Sequence, residues 1–182
     1  MDIPRLRSSC VPAEIFDECA CLTASLQKLH FDFSITDNQR EIIFNFIRGK
    51  DVFVSLPTGA GKSLCFAVLP YLFDLLKSLL SSVGELAAEE RSIVVVVSPL
   101  ISLMKDQVAK FSERGLACTF VGGEQEDVST TSTVLCGRYQ LVYMSPESLL
   151  CVLKWREMFR SPIYEKNLVA IVIDEAHCVR EW

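Results

Sequence analysis

The stretch that decides the fold is LPTGAGKS, residues 56–63, which lies between two apolar segments. DVFVSL, residues 51–56, has the composition of a buried strand, and apolar residues with helical spacing follow from Ser63. A strand, a glycine-rich loop and a helix in this order are the setting of a phosphate-binding loop. Gly59 and Gly61 permit backbone torsions that side chains forbid, so successive N–H groups can turn inward and bind an anion.

The side chains at the end of this loop have the chemistry that nucleotide phosphates require. Lys62 is expected to place its ammonium against the outer phosphates, in binding and in catalysis, and Ser63 to coordinate a phosphate-bound Mg²⁺. The remaining residues of the expected nucleotide-binding loop are Pro57, Thr58, Gly59, Ala60 and Gly61. The pattern GxxxxGK[ST] has glycine where this chain has Leu56, although the GxGKS core is intact. A glycine turn followed by a lysine on a solvated helix is the alternative interpretation.

Apolar runs rich in β-branched residues alternate along the chain with segments of helical spacing. The runs predict strands at residues 51–56, 93–98, 117–121, 140–145 and 168–174. Helical spacing is found at residues 13–29, 37–48, 63–80, 100–114 and 146–159, and residues 81–91 are polar. This alternation predicts an α/β fold of three layers with a mostly parallel central sheet.

An acidic pair, Asp174 and Glu175, follows the last predicted strand. Ligands of parallel sheets bind at the carboxyl ends of the strands, so the pair and the phosphate loop are expected to face one site. Asp174 is expected to hold Mg²⁺, and Glu175 to orient a water molecule and accept its proton. Acidic residues at strand ends also cap helices, which is the structural alternative.

Composition limits the classes of protein to which the chain can belong. Half of its 182 residues are apolar, which suits one globular domain, and its net charge of −5 makes any contact with nucleic acid local. The eight cysteines are scattered without a CxxC pair, so we expect reduced thiols and no zinc site. Residues 64–80 contain Pro70, Asp74 and Lys77, which favours a buried helix over a membrane span.

Four strings in order resemble the nucleotide-binding lobe of RecQ-type superfamily 2 DNA helicases. They are LPTGAGKS, SPLISLMKDQV (residues 98–108), YMSPESLL (143–150) and IVIDEAHCVREW (171–182). The resemblance covers roughly residues 31–182, after an irregular and partly helical leader of residues 1–30. It implies a RecA-like fold that binds ATP and Mg²⁺ and separates DNA strands in the 3′-to-5′ direction. SPLISLMKDQV and the CVREW tail favour the RecQ type over the RNA-directed DEAD-box and DEAH-box groups.

The same resemblance implies contacts to the base and to DNA. Gln39 corresponds to a glutamine that contacts adenine, while Thr36 stands where the family has an arginine. A solvated helix residue is the alternative for Gln39. The residues implied to contact single-stranded or forked DNA are Ser98, Pro99, Lys105, Ser145, Pro146 and Trp182. SPL and SPE are also common helix starts, with serine as the N-cap and proline at the first helical position.

His177 is implied to couple DNA binding to ATP hydrolysis, and a core or hinge residue is its alternative. An aromatic-rich loop is expected to begin at Trp182, and a second lobe that supplies arginine fingers is expected outside these 182 residues. The lobe alone is then expected to be nearly inactive, and the location intracellular, nuclear in a eukaryote. Other P-loop NTPases and a non-catalytic nucleotide-binding module are the rival functions.

Overall fold

The computed structural model describes residues 17–31, 34–57, 59–80, 90–122 and 127–181. Its helices are α1 (Glu18–Lys28), α2 (Asp37–Ile47), α3 (Lys62–Ala67), α4 (Leu69–Leu80), α5 (Ile101–Ser112), α6 (Val128–Leu135), α7 (Pro146–Cys151), α8 (Leu153–Met158) and α9 (Pro162–Asn167). Its strands are β1 (Ile93–Val97), β2 (Cys118–Val121), β3 (Leu141–Met144) and β4 (Leu168–Ile173), and a 3₁₀ helix covers Ala176–Glu181. Residues 1–16 of the predicted leader and residues 81–89 of the predicted polar segment lie outside the described ranges.

The described strands form one parallel sheet in the order β2-β3-β1-β4. In β1, Val94 and Val96 face the layer of α1–α5, whereas Ile93 and Val95 face the layer of α6, α8 and α9. The side chains alternate because successive residues of a strand point to opposite faces of the sheet. Both faces are therefore covered by helices, and the predicted three-layer α/β fold is confirmed.

The predicted first strand, residues 51–56, is wrong. These residues carry no regular structure, and Phe53 is 85% exposed. A strand requires a hydrogen-bonded neighbour, and β-branched composition cannot replace that pairing. In the described ranges the sheet ends at β4, which pairs with β1 alone, and no pairing joins residues 51–56 to it.

Two of the predicted helices are each divided into two. Residues 63–80 form α3 and α4, separated at Val68, because Pro70 has no N–H to donate to Phe66. Residues 146–159 form α7 and α8, separated at Val152, whose backbone is extended. The sequence prediction also missed α6 and α9. Both are short and begin with a capping side chain, Asp127 and Ser161 respectively.

Helix α1 belongs to the same helical layer as α2–α5, and its apolar residues share their hydrophobic core. Cys21, Leu22 and Leu26 are its buried apolar residues. Arg48 donates two hydrogen bonds to the carboxylate of Glu18, at 3.0 Å and 2.6 Å, which joins α1 to the end of α2. The described end of the predicted leader thus contributes to the core of the domain.

Asp74 of α4 connects this helix to the sheet. Its Oδ1 accepts a hydrogen bond of 2.6 Å from the N–H of Ser92, and its Oδ2 accepts one of 3.0 Å from Nε2 of Gln140. Ser92 and Gln140 are buried, and burial raises the pKa of Asp74 above its usual range. The polar residue that interrupts the apolar 64–80 segment therefore has a structural role. Within the described ranges, no helix is long and apolar enough to cross a membrane.

We expect Asp74→Ala to lower the free energy of unfolding by about 1–3 kcal/mol, because it leaves two buried donors without an acceptor. Urea denaturation monitored by circular dichroism measures the change. Glu41→Ala, at an exposed carboxylate of α2, is the matched control and should change stability by about 0.5 kcal/mol or less. Equal effects of the two substitutions would contradict the role assigned to Asp74.

Candidate nucleotide site

The phosphate loop ends in a glycine that the structure requires. Gly59 and Gly61 have φ angles of 84° and 76°, in the left-handed region that side chains disfavour. Gly61 also precedes α3 as its N-cap residue, and a Cβ there would collide with Nε2 of Gln39. Backbone conformation and close packing therefore both require glycine at residue 61.

Gln39 is buried, with 6% of its surface exposed, and it is hydrogen-bonded to the backbone of the loop. Its Nε2 donates to the carbonyl oxygens of Ala60 at 3.1 Å and Gly61 at 3.4 Å. In a trans peptide the N–H of the next residue points opposite to the carbonyl. The N–H groups of Gly61 and Lys62 therefore point away from Gln39, to the side of the loop where an anion can bind.

Gln39 also belongs to the capping box of α2. Its Oε1 accepts from the N–H of Thr36 at 2.9 Å, and its own N–H donates to Oγ1 of Thr36 at 3.3 Å. Both ends of the amide are thus bonded to protein, and the solvated-residue interpretation of Gln39 is wrong. The adenine contact of Gln39 stays a prediction. Thr36, where the resemblance implies an arginine, has the local role of a helix N-cap.

Lys62 folds back over its own loop. Its Nζ donates to the carbonyl oxygens of Leu56 at 2.9 Å and Pro57 at 3.4 Å. These two acceptors are neutral, whereas phosphate oxygens are charged and form stronger hydrogen bonds with an ammonium. The Lys62 ammonium is therefore held where a bound phosphate can exchange for the two carbonyls.

Asp174 follows β4 directly, and its N–H continues the ladder by donating to the carbonyl of Val97 at 2.8 Å. Burial raises the pKa of Asp174, and the neighbouring charge of Glu175 raises it further. The N–H of Glu175 and the charge of Lys62 oppose this increase. The charge of Lys62 thus acts on Asp174, which supports the expectation that the phosphate loop and the end of β4 face one site.

Glu175 adopts a backbone φ of 52°, which is uncommon for a residue with a side chain. Its N–H donates to Oδ1 of Asp174 at 3.1 Å, and its Oε2 lies 3.3 Å from Nδ1 of His177. His177 is exposed on the 3₁₀ helix, so a buried core histidine is ruled out for this residue. The two residues implied in hydrolysis and coupling are therefore in direct contact.

The expected metal ligand Ser63 has a partner that the sequence prediction missed. Its Oγ accepts a hydrogen bond of 2.8 Å from Nε2 of Gln107, on α5. Met104, Val108 and Phe111 mark the inward side of α5, and Gln107 lies among them. A polar residue inside an apolar stripe at helical spacing was the signal that could have revealed it.

The residues implied to contact DNA at the start of α5 differ in exposure. Ser98 is buried, and within the described residues its Oγ has no hydrogen-bond partner. Pro99 is half-buried, whereas Lys105 is exposed, with its ammonium 5.8 Å from the ring centre of Phe120. The helix-start interpretation of SPL is wrong, since α5 begins at Ile101 and its N-cap residue is Leu100.

Ser145 and Pro146 are both buried at the start of α7. Oγ of Ser145 accepts a hydrogen bond of 3.2 Å from the N–H of Ser148, and Pro146 occupies the first turn. The helix-start interpretation of SPE is therefore confirmed, and a DNA contact of these residues stays a prediction. Thr58 and Trp182, from the predicted nucleotide and DNA sets, lie outside the described residues.

Residues 36–182 match the family described as DEAD/DEAH box helicase. The chain is 32% identical over 97% of its length to "ATP-dependent DNA helicase Q-like SIM" of Arabidopsis thaliana, covering 19% of that protein. It is 36% identical over 80% of its length to "ATP-dependent DNA helicase hus2/rqh1" of Schizosaccharomyces pombe, covering 10% of it. It is 32% identical over 82% of its length to "ATP-dependent DNA helicase RecQ" of Haemophilus influenzae, covering 21% of it.

The chain thus spans about a fifth or less of the length of these three relatives. Their names agree with the RecQ-type resemblance of the four motifs, and the matched range contains the phosphate loop, Asp174 and Glu175. The chain belongs to the DEAD/DEAH box helicase family, and its relatives in that family include RecQ-type DNA helicases.

Proposed function

We propose that this chain is the ATP-binding lobe of a RecQ-type helicase, which couples ATP hydrolysis to 3′-to-5′ separation of DNA strands. The observation that carries the proposal is the match of residues 36–182 to the DEAD/DEAH box helicase family, because this range contains both the phosphate loop and the acidic end of β4. The experiment that tests it is phosphate release from ATP, with and without single-stranded DNA, in a protein that contains this lobe.

Ser63 and Asp174 are suited to hold Mg²⁺ with the phosphates of ATP. They offer the hydroxyl and carboxylate oxygens that this cation prefers. Burial and the charge of Glu175 disfavour the ionised form of Asp174, so a cation at this position relieves an electrostatic cost. When bound, Mg²⁺ neutralises charge on the phosphate oxygens.

The chain's own residues then divide the work of hydrolysis. The ammonium of Lys62 leaves the carbonyls of its loop and binds the outer phosphates, which orients them. The carboxylate of Glu175 orients water and accepts its proton, while His177 contacts Glu175 and can transmit a change at the 3₁₀ helix to it. Gln39, which holds the loop, is also the residue we propose at the adenine edge.

Lys105 is the exposed cation that we propose for binding to a DNA backbone. Ser98, Pro99, Ser145 and Pro146 follow β1 and β3, at the same edge of the sheet. A phosphate could approach their turns there without base-specific contacts. Trp182 belongs to the same proposed DNA surface by its motif alone.

We expect single-stranded DNA to bind this chain weakly, without base preference and with a shallow dependence on salt. The domain is acidic, so few phosphates are neutralised and few counterions are released. Lys105→Glu should weaken binding by about 2- to 5-fold in fluorescence anisotropy at low salt. Lys110→Glu, the same change at an exposed residue of the last turn of α5, is the matched control. Equal losses in both variants would mean that only net charge matters.

A second lobe is proposed to complete the site, because an arginine from across the cleft stabilises charge on the transferred phosphoryl group in such motors. Any strand separation would require the two lobes to move against each other. The proposed location is intracellular, and nuclear in a eukaryote, since DNA is the substrate.

The rival function is a nucleotide-binding module without turnover, or a P-loop NTPase that acts on another substrate. Glu175 favours hydrolysis over binding alone, and the relatives named as DNA helicases favour DNA over other substrates. ATP binding without turnover in a protein that contains both lobes would support the non-catalytic module.

A further inference from the structure

Gln107 joins the proposed metal ligand of the phosphate loop to the central sheet. Its Nε2 donates to Oγ of Ser63 at 2.8 Å, and its Oε1 accepts from the hydroxyl of Tyr143 at 3.1 Å. These three residues come from α3, α5 and β3, which are far apart in sequence. One amide therefore links three elements at the nucleotide side of the domain.

Tyr143 is a rigid anchor for this amide. It is 1% exposed, lies in β3 between β1 and β2, and packs edge-on against the ring of Phe66 with 6.3 Å between ring centres. Burial raises the pKa of its hydroxyl well above the ordinary value, so the hydroxyl stays protonated and can donate. With Oε1 held by this donor, Nε2 of Gln107 is turned toward Ser63.

The bond from Gln107 directs the hydroxyl of Ser63. A serine oxygen has two acceptor sites and one hydrogen to donate. Gln107 occupies one acceptor site, which leaves the other for a cation and the hydrogen for a phosphate oxygen. A free serine hydroxyl would sample three rotamers, and the bond from Gln107 favours the one seen here.

We propose that Gln107 is a positioning residue that orients the Ser63 hydroxyl for the metal of the bound nucleotide, with Tyr143 holding Gln107 in place. This inference rests on the proposed function, since it concerns the same nucleotide site. It gives α5, the helix that carries Lys105, a role in the nucleotide site. From the sequence alone, this helix was connected only with DNA. Gln107 acts through Ser63 and does not itself contact the nucleotide.

The test compares ADP affinity in Mg²⁺ with ADP affinity in EDTA, by calorimetry on the 182-residue chain. Gln107→Leu should reduce the ratio of the two affinities by about 2- to 10-fold, the range for one hydrogen bond, and leave the EDTA affinity unchanged. Tyr143→Phe, which removes one oxygen atom, should reduce the ratio in the same direction. Asp106→Asn, at the exposed neighbour of Gln107 on α5, is the control and should leave the ratio unchanged.

Four results separate the proposal from its rivals. In a Ser63→Ala background, Gln107→Leu should have no further effect on the ratio, because the two residues act through one contact. An unchanged ratio in Gln107→Leu, or an equal loss in Mg²⁺ and in EDTA, would overturn the positioning role. Should Gln107→Leu fail to fold, an unchanged ratio in Tyr143→Phe would overturn it. If the native chain binds ADP equally well in Mg²⁺ and in EDTA, the result would instead contradict the proposed metal site.

Discussion

Lys62→Ala is expected to weaken the binding of Mg-ATP by about 10- to 100-fold, the loss typical of a hydrogen bond to a charged group. In the structure the Lys62 ammonium donates hydrogen bonds to the carbonyl oxygens of Leu56 and Pro57. Phosphate oxygens are better acceptors for an ammonium than neutral carbonyls, so Lys62 stabilises bound ATP more than it stabilises the loop itself. Isothermal titration calorimetry measures the change.

The control for this experiment is Lys50→Ala. Lys50 is exposed and donates to Oδ1 of Asn45 at 2.8 Å, outside the phosphate loop. Lys50→Ala removes the same charge as Lys62→Ala but at a position outside the loop. It should therefore leave ATP affinity within about 2-fold of the native value. Thermal denaturation of both variants shows whether the fold is intact. Equal affinity before and after Lys62→Ala, in a folded protein, would mean that residues 56–63 do not bind phosphate.

Glu175→Gln is expected to slow ATP hydrolysis by about 10²- to 10⁴-fold while ATP binding is retained, because the amide cannot accept the proton of the attacking water. Two contacts position Glu175 for this role: its N–H donates to Oδ1 of Asp174, and its carboxylate lies 3.3 Å from Nδ1 of His177. Glutamine preserves size and the backbone, which removes the base without altering the loop. Single-turnover phosphate release measures the rate, and calorimetry measures binding.

A second lobe raises the rate of hydrolysis, so that the loss expected for Glu175→Gln can be measured. Fusing the second lobe of a RecQ-type helicase to the chain, through a complete aromatic loop, should raise phosphate release by about 10³- to 10⁵-fold through the arginine finger. Glu175→Gln should abolish that gain. Brisk, DNA-stimulated release from residues 1–182 without a second lobe would contradict the two-lobe proposal, and full activity of the Glu175→Gln fusion would remove Glu175 from the mechanism.

Much of the fold could be predicted because strands buried on both faces are continuous apolar runs. The runs that became β1, β2, β3 and β4 were each located to within a residue or two. The run at residues 51–56 has the same composition but no strand beside it in the described ranges. Its failure shows that local propensity supports a strand only where a pairing partner exists.

Part of the site was equally accessible from the sequence. Glycine at residues 59 and 61, followed by Lys62 and Ser63, is a local pattern, and its torsions are local too. The rule that parallel strands present their carboxyl ends at one edge predicted that Lys62 and Asp174 share a site, and the effect of the Lys62 charge on the pKa of Asp174 supports it. A local sequence pattern was thus sufficient to predict the loop, and a topological rule was sufficient to predict its position relative to Asp174.

The sequence by itself determined the phosphate loop, the parallel sheet and the acidic strand end, because each depends on neighbouring residues or on a general rule of α/β folds. Only the tertiary structure decided that Gln39 supports the loop, that Gln107 bonds Ser63, and that Ser98 is buried. Gln39 reaches Ala60 across 21 residues, and Gln107 reaches Ser63 across 44. Such contacts depend on how the helices pack on the sheet. A local pattern can mark a residue such as Gln107, but it does not identify the partner of that residue.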